Sequence, residues 1–174
     1  MVYTLTYESV VADKMDNNDM ALLLEQSRNN NKRDGITGCL IYYRGGFIQV
    51  LEGEKSKVLA TYEKIKVDQR HKEVHMFSED HNVERSFPNW GMAYYPIDAS
   101  NTSQSEFEQF KRNLLLLADF TEPKHLTAKL FWDRTKFLIS NPPDMEIPVA
   151  GASKTSNFNK AQKKPANIYG LLNF

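Results

Sequence analysis

The chain predicts an α+β fold, a ferredoxin-like β-α-β-β-α-β-β sheet with two helices on one face, followed by a C-terminal helical extension. Three observations predict it. A tight hairpin is centred on Asp34 to Glu54, DGITGCLIYYRGGFIQVLEGE. Amphipathic stretches with helical period stand immediately before and after that hairpin. Strand-like alternation opens the chain and returns beyond the second helix. The β-α-β-β-α-β order is the split unit whose helices share one face of an antiparallel-rich sheet. It leaves a slot between two roughly parallel helices, into which a flat ligand can enter edgewise.

Val2 to Tyr7 alternates, with Tyr3, Leu5 and Tyr7 against Val2, Thr4 and Thr6, and is read as the first strand. Tyr7 is expected to close it before the polar Glu8-Ser9, and a buried tyrosine needs a partner for its hydroxyl. Asp16 to Asp19 offers caps and acidic residues for a helix start. Met20, Leu23, Leu24 and Ser27 follow at i, i+3, i+4, i+7. Asn29-Asn30-Asn31 is expected at the C-terminal edge of this helix, where asparagines do turn chemistry. Their place before the hairpin also lets them aim amides at a ligand beside it.

In the hairpin, Ile36 to Tyr43 and Phe47 to Leu51 are the strands, and Arg44-Gly45-Gly46 is the turn. Alternation puts Gln49 on one face with Phe47 and Leu51. A primary amide left unpaired among such groups costs about 1–3 kcal/mol. Turning it over exchanges donor and acceptor at a single place. An edge strand with a hydrated Gln49 fits the hairpin equally well.

Lys55 to Asp68 is a second amphipathic helix through Val58, Tyr62 and Ile65. Lys64 and Lys66, with Arg70 just beyond, read by spacing as a solvated basic face, and alternatively as groups that neutralise phosphates. Val74, Met76 and Phe77 predict a short strand. His71, His75 and His81 fit no zinc spacing, so no metal site is expected. Phe87 to Tyr95 is the last strand, with Trp90 and Met92 on one face, by spacing a core pair.

Asn101-Thr102-Ser103 reads as a linker, and Gln104 to Phe120 as a third helix with Phe107, Phe110, Leu114 and Leu117 on one stripe. Leu115 and Leu116 widen that stripe beyond one packing contact. Thr121-Glu122-Pro123 is expected to cap a fourth helix with Leu126, Leu130, Phe131, Phe137 and Leu138, stopped by Pro142-Pro143. From Asn141 the chain is rich in Pro, Asn, Ser and Lys, then turns apolar over Ile168 to Phe174. The expected organisation is 1–97 as the folded domain, 98–140 as a helical pair and 141–174 as a flexible tail.

Composition narrows the function. A formal net charge of zero over 174 residues argues against a dedicated nucleic-acid binder. A single cysteine excludes an intrachain disulfide framework and fits a reducing compartment. Neither a membrane-length apolar run nor a signal peptide is visible, so a cytoplasmic protein is expected.

Residues 1–97 resemble the BLUF family of blue-light sensors. The matching features are Tyr7 in YTLTYES, the Asn30-Asn31 pair, Asp34-Gly35-Ile36-Thr37-Gly38, and Phe47 to Gly53. Asp68-Gln69-Arg70-His71 and Trp90-Gly91-Met92 complete the set. The resemblance implies FAD, bound non-covalently between the two helices. Asn31 would read the carbonyl and imide edge of the ring, with Asn30 and Ser27 close by. Gln49 would lie between the ring and the Tyr7 hydroxyl, and Lys64 and Arg70 are candidates for the ribityl-phosphate end. It further implies that Tyr7 gives an electron and a proton to the flavin in blue light. The Gln49 amide then rearranges, by rotation or tautomerisation, and the flavin absorption moves to the red. Trp90 and Met92 would relay the change to the last strand.

No general base or activated nucleophile is visible, so no enzyme activity is expected. Roughly 75 residues beyond the resemblance are too few for the cyclase or phosphodiesterase domains that the family often carries. The expected output is therefore contact with a downstream protein partner or a second copy of the chain, with part of Leu114 to Leu117 as the surface. The rival reading is a small ferredoxin-like nucleotide-binding enzyme or effector-binding module without photochemistry.

Overall fold

Alternating β-branched and aromatic residues build five strands that pair in the order β4-β1-β3-β2-β5. The computed structural model describes residues 1–12, 17–43, 45–89, 93–97 and 103–141. In chain order the elements are β1 (Val2–Val11), α1 (Asn17–Asp34), β2 (Thr37–Tyr43), β3 (Gly46–Gly53) and α2 (Lys55–Val67). They continue with β4 (His71–Asn82), β5 (Ala93–Ile97), α3 (Gln104–Phe120) and α4 (Leu126–Ser140). All ladders are antiparallel except β2 with β5, which is parallel.

Period-two alternation splits the sheet into two buried faces. Tyr3, Leu5 and Tyr7 of β1, Leu40 of β2, and Phe47 and Leu51 of β3 pack under Met20, Leu23 and Leu24 of α1 and Val58 and Tyr62 of α2. Cys39 and Ile41, with Ile48 and Val50, point the other way. They meet Leu114 and Ala118 of α3 and Ala128, Phe131, Trp132 and Ile139 of α4. The predicted two-helix face is the first of these. The helical extension covers the second.

Several boundaries differ from the sequence expectation. β1 does not end at Tyr7 but runs on to Val11, paired with both β3 and β4. Glu8 looked like a terminator, yet Arg134 of α4 donates to its carboxylate from Nε at 2.8 Å and Nη2 at 3.2 Å. Nor is β4 short: its 12 residues form a sheet edge whose many exposed positions hid the strand pattern. Phe87 to Asn89 is not strand. The Ser86 and Phe87 amides donate to the Glu52 carboxylate at 2.9 Å each, so they are not available to a ladder. Phe87 is instead buried in the second core, and the last strand begins at Ala93. Trp90 and Met92, and the 141–174 tail from residue 142 on, lie outside the described residues.

The helical pair brings two further corrections. Ser103, read as linker, is an N-cap: its Oγ accepts from the Glu106 amide at 3.3 Å while the Glu106 carboxylate accepts from the Ser103 amide at 3.1 Å. Thr121 to Pro123 does not cap α4. His125 does, its Nδ1 accepting from the Ala128 amide at 3.2 Å. The buried stripe of α4 is also rotated from the expected one. Leu126 and Phe137 are 62% and 54% exposed, whereas Thr127, Ala128, Phe131, Trp132, Thr135 and Ile139 are buried. Two threonines can face inward because their hydroxyls are satisfied, Thr135 by the Phe131 carbonyl at 2.8 Å and Thr127 by Ser78 at 2.8 Å.

β4 carries a bulge where Glu8 pairs with His75 but Val10 with Lys72, so two residues of β4 oppose one of β1. Glu73 there has φ of +51°, a left-handed conformation costly for a side chain with a Cβ. Glu73→Gly is expected to raise stability by about 0.5–1 kcal/mol, the relief of strain outweighing the added chain entropy. A thermal melt of the variant against wild type checks this. An unchanged or lower midpoint would show that the bulge is unstrained.

Candidate functional site

Gln49 is on β3, the middle strand of the sheet, and is 5% exposed. The hydrated edge-strand alternative is thereby removed. Tyr7 is its cross-strand partner in β1, and the Tyr7 hydroxyl donates to Gln49 Oε1. Thr6, on the opposite face of β1, donates from Oγ1 to the Gln49 carbonyl at 2.9 Å and holds the backbone under it. Burial pushes the Tyr7 phenol well above its ordinary pKa, with Tyr62 and Asp68 nearby adding to the shift. Tyr7 is therefore a neutral phenol whose proton is committed to the amide oxygen.

Asn30 and Asn31 lie within α1, not at its edge. The helix continues to Asp34 and stops at Gly35, whose φ is +67°. The Ile36 amide donates to the Asn31 carbonyl at 2.8 Å and the Gly35 amide to Lys32 at 3.4 Å, the doubly bonded glycine stop of a helix C-terminus. The three asparagines looked terminal because they are poor helix formers, but this glycine sets the end. The longer helix carries Asn31 inward, 3% exposed, and leaves Asn30 on the solvent side.

Between α1, α2 and the sheet is a cleft of about 740 Å³ of free space, part of it open to solvent. Tyr7, Gln49, Asn30, Asn31, Ser27, Lys64 and Arg70, named from the sequence, all line it. Leu23, Leu40 and Ile65 give it apolar walls. Arg70 is not a free cation: its guanidinium holds the Asp68 carboxylate, with Nη2 to Oδ2 at 2.6 Å and Nε to Oδ1 at 2.9 Å. The pair keeps Asp68 below the usual carboxylate range. Lys64, on the exposed rim, is the better candidate for a phosphate.

Sequence reasoning missed Asp68 as a site residue. The Asp-x-Arg spacing after a helix was the available signal, because Asp68 Oδ1 also accepts the Arg70 amide at 2.9 Å, a local turn. It also missed His71, which lines the cleft against the Phe47 ring at 4.9 Å between centroids and bonds Ser9 at 2.9 Å. Burial pushes His71 below its ordinary pKa, so its ring is neutral near pH 7. Among the described residues no His/Cys/Asp/Glu group could hold a metal ion, and no helix is long and apolar enough to cross a membrane.

The cleft fits a flavin by its chemistry. Asn31 is 3% exposed overall and lines the cleft. One amide can donate to a carbonyl and accept from an imide N–H, which the edge of an isoalloxazine ring presents together. Cys39 belongs to the opposite core, and burial raises its thiol pKa, so no thiolate is available to attack a ring. Cys39→Ala is expected to leave the photocycle spectrum unchanged. Loss of light response in that variant would revive a cysteine adduct.

Comparison with known proteins agrees with this geometry. The sequence profile described as "BLUF: Sensors of blue-light using FAD" matches residues 2–93. Photoactivated adenylate cyclase subunit alpha of Euglena gracilis is 44% identical over 71 residues, 41% of this chain and 7% of that protein. The chain thus spans less than a tenth of that relative. The dark-state structure of BlrB, a BLUF protein, superposes with a TM-score of 0.54 at 30% identity, covering 62% of this chain and 82% of BlrB. The photo-activated state of BlsA does so with a TM-score of 0.55 at 28% identity, covering 72% and 100%. The chain belongs to the BLUF family of blue-light flavin sensors.

Proposed function

We propose that this chain is a blue-light sensor that holds FAD non-covalently in the α1–α2 cleft and passes the light signal to a separate protein. The observation that carries this is the buried Tyr7–Gln49 hydrogen bond in the same cleft that Asn31 lines. When bound, the flavin supplies a blue-absorbing ring that takes up an electron and a proton on excitation. Asn31 orients the ring edge, Leu23 and Ile65 exclude water, and Lys64 faces the phosphate end. Tyr7 is the donor of electron and proton: its phenol holds its proton in the dark and its only oxygen is bonded to Gln49. With Tyr7 donating to Oε1, the Gln49 amide presents N–H on its other side. Rotation or tautomerisation reverses these roles without moving the backbone. Trp90 and Met92 are the proposed relay to β5.

For the output, Leu116, Phe120 and Phe137 expose apolar surface on the helical pair, at 52%, 81% and 54%, and this is the surface proposed to meet the partner. The test is an absorption spectrum of the purified protein before and after blue light, with the released cofactor identified by chromatography. A yellow protein carrying FAD that shifts to the red and recovers in darkness is expected. Bound flavin with no shift would overturn the reading.

A further inference from the structure

Among the described residues Glu52 is the one buried carboxylate, 0% exposed, and the photochemical reading gives it no task. Its Oε2 accepts from the Phe87 amide, and its Oε1 accepts from the Ser86 amide and from His125 Nε2 at 2.9 Å. The His125 side chain is itself only 4% exposed. Its Nδ1 accepts from the Ala128 amide. That acceptor role leaves the ring proton on Nε2, which donates to Glu52. One imidazole therefore does two jobs. It caps α4 with one nitrogen and grips β3 with the other.

Packing alone gives a weak account of this pair. A buried carboxylate is costly to desolvate, and apolar groups of similar volume hold elements together as well or better. A directional bond differs from an apolar contact in being sensitive to displacement. β3 carries Gln49 toward the cleft and, three residues on, Glu52 toward α4, a span of roughly 10 Å along a strand paired on both sides. Thr6 clamps the Gln49 carbonyl, and Thr4, on the same face of β1, lies with Oγ1 3.4 Å from His125 Nε2. A shift of the strand at Gln49 has no frayed edge in which to dissipate before it reaches the carboxylate.

We propose that the buried Glu52–His125 pair is the joint through which α4 follows the state of the Gln49 strand, so that the light state alters the capping of α4. Glu52 and His125 are positioning residues here. The inference rests on the photosensor reading above. It adds a route to the helical pair that is independent of β5.

The test uses the full chain loaded with flavin, following hydrogen exchange over residues 125–132 in darkness and under continuous blue light, with absorption recorded in parallel. His125→Ser keeps an oxygen able to cap α4 but is too short to reach Glu52. Wild type is expected to change exchange in this segment by at least about threefold between the two states, through altered local opening. His125→Ser is expected to keep the full red shift and lose that difference. His125→Gln, whose amide spans to Glu52, is expected to restore it. A structural role alone would move dark and light exchange equally. A wild-type difference retained in His125→Ser overturns the joint, as does a variant that no longer folds or holds flavin. A wild-type protein that shifts to the red with no exchange difference overturns the joint and leaves the sensor intact. Absence of the shift itself is failure of the sensor reading.

Discussion

Gln49→Leu is expected to bind flavin normally and to show no red shift after blue light. Leucine keeps roughly the volume of the amide, so the buried face of β3 stays filled beside Phe47 and Leu51. What disappears is every donor and acceptor between the cleft and the Tyr7 hydroxyl. Tyr7→Phe is expected to give the same spectrum by a different loss, since it removes the oxygen and leaves the ring packed 5.5 Å from Tyr62. In both variants the shift should fall to the baseline of the measurement. A full shift in Gln49→Leu would remove the amide from the mechanism. A full shift in Tyr7→Phe would require another electron donor.

Gly38→Ala is expected to be strongly disruptive, the tightest such substitution among the described glycines. Gly38 has φ of +156°, and a Cβ built there would lie 2.0 Å from the Val50 carbonyl oxygen and 3.0 Å from its carbon. The neighbour is backbone of the paired strand, so no side chain can turn aside. β2 must separate from β3 one residue before Cys39 and two before Leu40, whose cross-strand partner is Gln49. Backbone strain and a forced repacking of both faces sum to about 3–5 kcal/mol. That is a large part of the stability of a domain of this size. Denaturant unfolding should show the loss, with flavin retention reduced alongside it. A variant within about 0.5 kcal/mol of wild type would mean that the two strands separate freely, the tolerance of an ordinary surface site.

Much of the fold was legible because the signals are local. The hairpin declared itself through Arg44-Gly45-Gly46 between two alternating runs, and alternation alone placed Gln49 with Phe47 and Leu51, as the core on that face shows. Seven of the residues lining the cleft were legible through the family resemblance, whereas Asp68 and His71 were missed. The β-α-β-β-α-β topology brings the first strand, both helices and the hairpin to one slot. The extent of β1 was not legible. Glu8 reads as a terminator until Arg134, 126 residues away, neutralises it. The state of Arg70 had a local signal that was passed over, because the Asp68 carboxylate that holds it stands only two residues away.

By itself the sequence determined the secondary structure of the central elements and the two faces of the hairpin, which rest on neighbouring residues and their period. It also determined the membership in a family of light sensors, which rests on motifs that resemble the family's in order along residues 2–93. Only the tertiary structure decided which stripe of α4 is buried and that Glu52 and His125 meet. Each of those depends on groups far apart in the chain that satisfy one another's hydrogen bonds away from water. That pairing turns a polar residue from a surface signal into a core one, and no local pattern records it.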